Sequence, residues 1–132
     1  MKVKPVIKNS VRRCCYNAKE DFISIPPIND FDSSAEYYSS LFHELLHMSG
    51  HPKRLNRFSC NFGDNKYSSE ELVAEIGSAY LCAITGISSK VLDNQAAYIQ
   101  SWLGQLQNDP MYILNAAIQA QRAVKFILNY PN

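Results

Sequence analysis

The 132-residue chain has no apolar run of about eighteen residues and no apolar leader, so neither a membrane span nor an export signal is expected, and a cytoplasmic location follows. Cysteine is sparse and badly spaced for clamping a metal. Of the four, Cys14 and Cys15 adjoin while Cys60 and Cys82 stand apart, so no Cys-x-x-Cys pair exists and reduced, structural thiols are the default. An excess of one charge is lacking too: the net charge is +1, which gives no global nucleic-acid signature. Short basic clusters do occur, Lys2, Lys4, Lys8, Arg12 and Arg13 in the first segment and Lys53, Arg54 and Arg57 later. Such clusters are more often solvated faces than phosphate tracks. No repeat, low-complexity stretch or linker is evident, and 46% hydrophobic with 19% charged residues reads as one globular domain over residues 1–132.

Histidine is rarer still, and what little there is carries chemistry. Of three histidines, two fall in His43-Glu44-Leu45-Leu46-His47. Positions i and i+4 share a helical face, so both imidazoles can reach one metal ion with Glu44 projecting beside them. Zinc takes nitrogen ligands and, in catalytic sites, keeps one position open. Glu44 is then no ligand but a general base toward a zinc-activated water. Chance alone yields the pattern in roughly three of a thousand chains of this composition, so context has to confirm it.

The context is helical. Ser33-Ser34-Ala35-Glu36 has the form of a capping box, and an apolar stripe through Tyr38, Leu41, Leu45 and Met48 predicts a helix from about Ala35 to Ser49. Gly50 is placed to end it in a left-handed conformation, and Pro52 follows. The bland alternative is a buried helix whose histidines only satisfy core hydrogen bonds. Two histidines and a glutamate on one face would then need several buried partners at once.

A third ligand is not explicit. Six positions beyond His47, where the metzincin pattern has a histidine, stands Lys53. His51 follows His47 by four, but Gly50 intervenes, and a loop histidine or substrate-side donor is the commoner reading. Further on, Ser68 to Leu81 forms a second amphipathic pattern with Glu71 and Glu75 four apart. Glu71-Leu72-Val73-Ala74-Glu75 resembles the Glu-x-x-Ala-Asp pattern of gluzincin peptidases, with Glu for Asp. That resemblance implies Glu71 as the ligand, 24 residues after His47, and Glu75 as the carboxylate orienting a ligand histidine. Ser68 and Glu71 also have capping-box spacing, with Tyr67 and Leu72 as a staple, in which case Glu75 would coordinate instead. Gly77 would let the two helices approach closely.

Elsewhere, Val11–Tyr16 and Asp21–Ile25 read as two strands joined by the turn Asn17-Ala18-Lys19-Glu20, and an edge strand there can hold an extended peptide or simply cover the core. Asp93 is placed to cap a helix through about Gln107, and Asp109-Pro110 to open another through Leu128. Both are packing elements, and Tyr98, Gln100, Gln105 and Gln119 receive no chemical role.

Tyr37 through His51, Arg54-Leu55-Asn56-Arg57, Glu70 to Leu81, and Asn94 through Leu103 closely resemble the zincin-like metallopeptidase domain of ArdC-type antirestriction proteins, found also in conjugation primases and polyvalent proteins. Met48 departs from the family, which often has an aromatic residue there. The resemblance implies an α+β fold, zincin-like and mostly helical, with a short antiparallel β-sheet beside the HExxH helix. It also implies a Zn2+ cofactor held by His43, His47 and Glu71 (or Glu75), with Glu44 catalytic. The expected activity is a gluzincin-type peptidase serving antirestriction or mobile-element establishment, its partner a protein or peptide substrate such as a host defence protein, and His51, Tyr67 or Arg54 steadying the oxyanion. The alternative is a non-catalytic, metal-stabilised module binding DNA or a host restriction protein. The family's N-terminal single-stranded-DNA-binding domain has no counterpart here, so DNA contact would fall to another chain or to the basic clusters.

Overall fold

A computed structural model describes residues 4–10, 13–59, 66–87 and 89–130. Three strands, β1 (Val6–Asn9), β2 (Cys15–Asn17) and β3 (Phe22–Ile25), precede four helices, α1 (Ser34–Ser49), α2 (Lys66–Thr85), α3 (Ser89–Gln105) and α4 (Pro110–Leu128). Short 3-10 turns at Ile28–Asp30 and Arg57–Ser59 flank α1. Among the described residues, no helix is long and apolar enough to cross a membrane.

The predicted hairpin is present and shorter. β2 pairs antiparallel with β3, Tyr16 opposite Ile23, and the Asn17 side chain closes the turn by accepting from the Glu20 N–H at 2.9 Å. Val11 lies outside the described residues. An unforeseen third strand, β1, pairs in parallel with β3, giving the order β1-β3-β2 and a mixed sheet. Its basic residues concealed it: Lys8 stands on an exposed strand, its ammonium 4.2 Å from the centre of the Phe22 ring. Only β3 sends residues into the interior, Ile23 and Ile25, both fully buried.

The boundaries of α1 and α4 have local causes. Ser33 caps α1, its hydroxyl accepting from the Glu36 N–H at 3.1 Å, and Asp109 caps α4 with Pro110 in the first turn and left-handed Asn129 at the far end. Asp93, by contrast, lies inside α3, which begins at Ser89. Gly50 departs from expectation as well, since its φ of −81° is right-handed. What demands glycine there is space: a Cβ would stand 2.7 Å from the Phe58 ring and 2.9 Å from Arg57 Nη2.

α2 packs against all three other helices. On one side Leu46, Ala74, Leu81, Ala123 and Val124 close together, and on the other Leu72, Val73, Leu106, Ala116 and Ala120 do so. α1 is held between α2 and the strands β2 and β3. Its predicted stripe is therefore incomplete. Leu46 and Met48 are fully buried, while Tyr38, expected inward, is exposed.

α1 and α2 approach closely at Gly77. A Cβ there would lie 2.2 Å from Leu46 Cδ1 and 2.6 Å from its Cγ. Alanine would gain up to about 1 kcal/mol of helix propensity. Leu46 is fully buried, and overpacking of this kind costs about 1–3 kcal/mol or more. Gly77→Ala is therefore expected to lower stability by about 2 kcal/mol net. Denaturant unfolding with an unchanged m-value checks this; equal or greater stability would show that the helices separate freely.

Candidate metal centre

α1 and α2 bring His43, His47 and Glu71 together, with one ligand atom from each lying within 4.8 Å of the others. His43 Nε2 and His47 Nε2 are 3.1 Å apart, Glu71 Oε2 is 3.2 Å from the first and Glu71 Oε1 3.1 Å from the second. Tetrahedral ligands at about 2.0–2.1 Å from zinc stand about 3.3 Å from each other, and each of these separations is close to that value, the two to Glu71 being made by its two different oxygens.

The opposite ring nitrogens explain the charge of that triangle. His43 Nδ1 lies 3.3 Å from Glu75 Oε1, and His47 Nδ1 lies 3.2 Å from Glu70 Oε1. An ionised carboxylate can only accept, so each Nδ1 carries a proton, and in the neutral imidazoles each Nε2 is left with a lone pair facing the triangle. Two lone pairs and a carboxylate then converge on one point, an arrangement of acceptors that calls for a cation. The titration behaviour reports the same surplus of negative charge, which a proton on Nε2 answers just as a cation would. Burial would lower the His47 pKa, but the Glu70 and Glu71 carboxylates overcome it and hold the ring up to about 10. Burial would raise Glu71, yet hydrogen bonds from both histidines bring it to about 2.

Between Glu71 and Glu75, the geometry puts Glu71 in the triangle and Glu75 behind His43. The capping competition does not arise, because α2 already includes Lys66 and Tyr67 and Ser68 lies within it. Tyr67 packs edge-on against Trp102 rather than stapling to Leu72.

Sequence reasoning missed Glu70 and Arg57. Arg57, read as part of a solvated cluster, is buried: its Nε is 2.7 Å from Glu70 Oε2 and its Nη2 2.6 Å from Glu70 Oε1. It also donates from Nη2 to the Leu46 carbonyl at 2.6 Å and from Nη1 to Ser49 Oγ at 3.1 Å, closing the end of α1. The burial that would raise Glu70 is outweighed by Arg57 and His47, and the carboxyl sits below its ordinary range. The signal available was slight, a glutamate adjacent to a ligand and an arginine at a helix end.

Arg54 is likewise no surface charge. It grips Asp21 through Nη1 to Oδ1 at 2.7 Å and Nη2 to Oδ2 at 3.1 Å, while the Tyr16 hydroxyl donates to Asp21 Oδ1 at 2.7 Å. Burial opposes ionisation of Asp21, but Arg54 and Tyr16 hold it below its usual range. A third bond, from Arg54 to the Met48 carbonyl at 3.2 Å, fastens the hairpin to α1.

A cleft of about 470 Å³ opens beside the triangle, with His43, Glu44 and Glu75 in its wall. The raised pKa of Glu44 comes first from burial, partly offset by both histidines. A raised value is the direction in which carboxylate general bases are tuned. Cys14 also faces the cleft, its thiol donating to the Ser40 carbonyl at 3.7 Å and pushed up to about 12 by burial and by Glu44, so it is a neutral thiol. His51, Tyr67 and Arg54 are not in the cleft wall; the side chains that α3 presents there are Asn94, Gln95 and Tyr98. His51 accepts from the Lys53 N–H and stays outside the triangle.

Residues 1–119 match the model of the family described as zincin-like metallopeptidase, MPTase-PolyVal. The chain belongs to this family. Among relatives of this zincin-like chain, a DNA primase TraC of Escherichia coli is 40% identical over 119 residues, 89% of this chain and 11% of TraC. An uncharacterized protein y4eC of Sinorhizobium fredii is 35% identical over 117 residues, 88% of this chain and 38% of that protein. The Mn(II)-bound crystal structure of antirestriction protein ArdC from the R388 plasmid superimposes with a TM-score of 0.77 at 42% identity, covering 95% of this chain and 47% of ArdC. The metal-free ArdC structure gives 0.75 at 43% identity, with 97% and 48% covered. The zincin-like chain thus spans about half of the ArdC chain and about a tenth of TraC.

Proposed function

We propose that the protein is a zinc-dependent peptidase of the gluzincin type that acts in antirestriction or mobile-element establishment. The observation that carries this reading is the convergence of His43 Nε2, His47 Nε2 and the Glu71 carboxylate beside a cleft containing Glu44. Two nitrogens and one oxygen suit zinc and leave room for a fourth position. The Mn(II) bound by ArdC supports a divalent site in this fold, and the TraC and ArdC likenesses support the setting.

When bound, zinc supplies a Lewis acid and acidifies water at that fourth position. The residues do the rest. His43 and His47 present their Nε2 lone pairs because Glu75 and Glu70 hold the opposite N–H groups. Glu71 offsets the charge of the ion. Glu44 takes a proton from water as its oxygen bonds to the scissile carbonyl carbon, then delivers that proton to the departing amine as the C–N bond breaks. A host defence protein is the proposed substrate class.

Purified protein is expected to hold about one zinc per chain. It should hydrolyse unstructured peptides, stop on chelation and recover on zinc addition. Retention of no metal, or hydrolysis indifferent to chelation, would remove this reading. Steep salt-dependent DNA binding without hydrolysis would favour the binding-module alternative.

A further inference from the structure

The cleft has a polarity that the peptidase reading does not require. It runs along α1 from His43 back to Glu36, with Ser39 and Ser40 between them. Seven residues at 1.5 Å rise place Glu36 about 10 Å from the catalytic end. Of the three carboxylates in the wall, Glu75 faces His43 and Glu44 is the proposed base, which leaves Glu36. Among the described residues, no lysine or arginine lines the cleft.

The α3 wall adds a buried acceptor. Gln95 is 4% exposed, and its Nε2 donates to Ser78 Oγ at 3.0 Å and Ser39 Oγ at 3.3 Å. Ser78 spends its own proton on the Glu75 carbonyl and so accepts from the Gln95 amide, which also donates toward Cys82 Sγ at 3.5 Å. Gln95 Oε1 is therefore the acceptor, and it has no partner among the described residues. A buried acceptor without a donor costs about 1–3 kcal/mol until a ligand or water supplies one. Phe31 and Tyr98, also in the wall, offer aromatic surface to a cation.

We propose that this cleft is the pocket for a basic substrate side chain, lysine or arginine, next to the bond to be cut, with Glu36 as the charge that selects it. An apolar side chain would leave Glu36 and the serines facing it, and an acidic one would meet three carboxylates. The proposal rests on the peptidase reading above, and its test separates the two.

A positional-scanning peptide library is offered to the zinc-loaded protein at fixed ionic strength. Peptides with lysine or arginine at one position beside the scissile bond should be cut at least about tenfold faster than those with leucine or glutamate there. Glu36→Gln should flatten that preference, and Glu36→Lys should turn it toward aspartate and glutamate. In parallel, zinc-loaded Glu44→Gln protein is used to capture peptides from the same library, and the Glu44→Gln/Glu36→Lys protein provides the comparison. Cleavage that prefers apolar residues, or that ignores Glu36, overturns the pocket while leaving the peptidase standing. Absence of cleavage together with Glu36-dependent capture of basic peptides overturns the peptidase and supports the pocket. Neither cleavage nor such capture overturns both.

Discussion

Glu44→Gln is expected to reduce kcat/KM for peptide hydrolysis by about 10²–10⁴, the usual contribution of a positioned general base. Metal content should stay unchanged, because Glu44 lies outside the His43, His47 and Glu71 triangle. Stability should hold or rise slightly. Burial raises the Glu44 pKa, which means that its charged form is disfavoured in the fold at neutral pH, and glutamine removes that charge while keeping the shape. Three measurements on one preparation, zinc per chain, melting temperature and hydrolysis rate, therefore isolate the chemical step. Full hydrolysis by a zinc-loaded Glu44→Gln protein would place the base elsewhere.

Arg57→Met is expected to act on the same centre from behind. Removing one partner of a buried, hydrogen-bonded pair costs about 3–5 kcal/mol, because the other charge stays behind unpaired. Here that charge is Glu70, and the loss extends to the Leu46 carbonyl and Ser49 hydroxyl that Arg57 also serves. For a chain of this size the melting temperature would fall by roughly 10–20 °C. A Glu70 that takes up a proton no longer holds the His47 Nδ1–H as an anion, so zinc affinity should drop about 10–100-fold, the usual effect of losing a partner of a ligand histidine. Competition with a chelating dye reads the affinity, and denaturant unfolding reads the stability. Arg57→Met combined with Glu70→Gln should recover part of the stability without restoring the affinity. If the single variant binds zinc as tightly as the wild type, the Arg57, Glu70 and His47 relay has no bearing on the metal.

What was legible in the sequence was whatever depends on spacing along one helix. His43 and His47 share a face at i+4, Ser33 caps where a capping box begins, Asp109-Pro110 opens α4, and a glycine at 77 marks the helix crossing. The i+4 step put Glu71 and Glu75 on one face but left open which of them meets the ligand triangle, and only the fold places Glu75 against His43 Nδ1. The relations that escaped are those across elements. Arg57 and Arg54 look like solvent charges in a linear reading, and only the fold brings Glu70 and Asp21 to them. The β1 strand escaped because its residues are exposed and its partner lies in another part of the chain. Gly50 was recognised as necessary for the wrong reason, since glycine signals backbone freedom in sequence but a missing side chain in this structure.

The three converging ligands come from neighbouring helices, and Glu71 follows His47 by only 24 residues. Loop-closure entropy grows slowly with length and contacts near in sequence form early, so this pair of helices can assemble before the contacts of α1 with α4. An ion captured at that stage would pin α1 to α2 before the final helix, α4, completes the Leu46, Ala74 and Val124 cluster. Zinc would thereby act on the rate of folding as well as on its equilibrium, serving as a nucleus during synthesis and as a reagent afterwards.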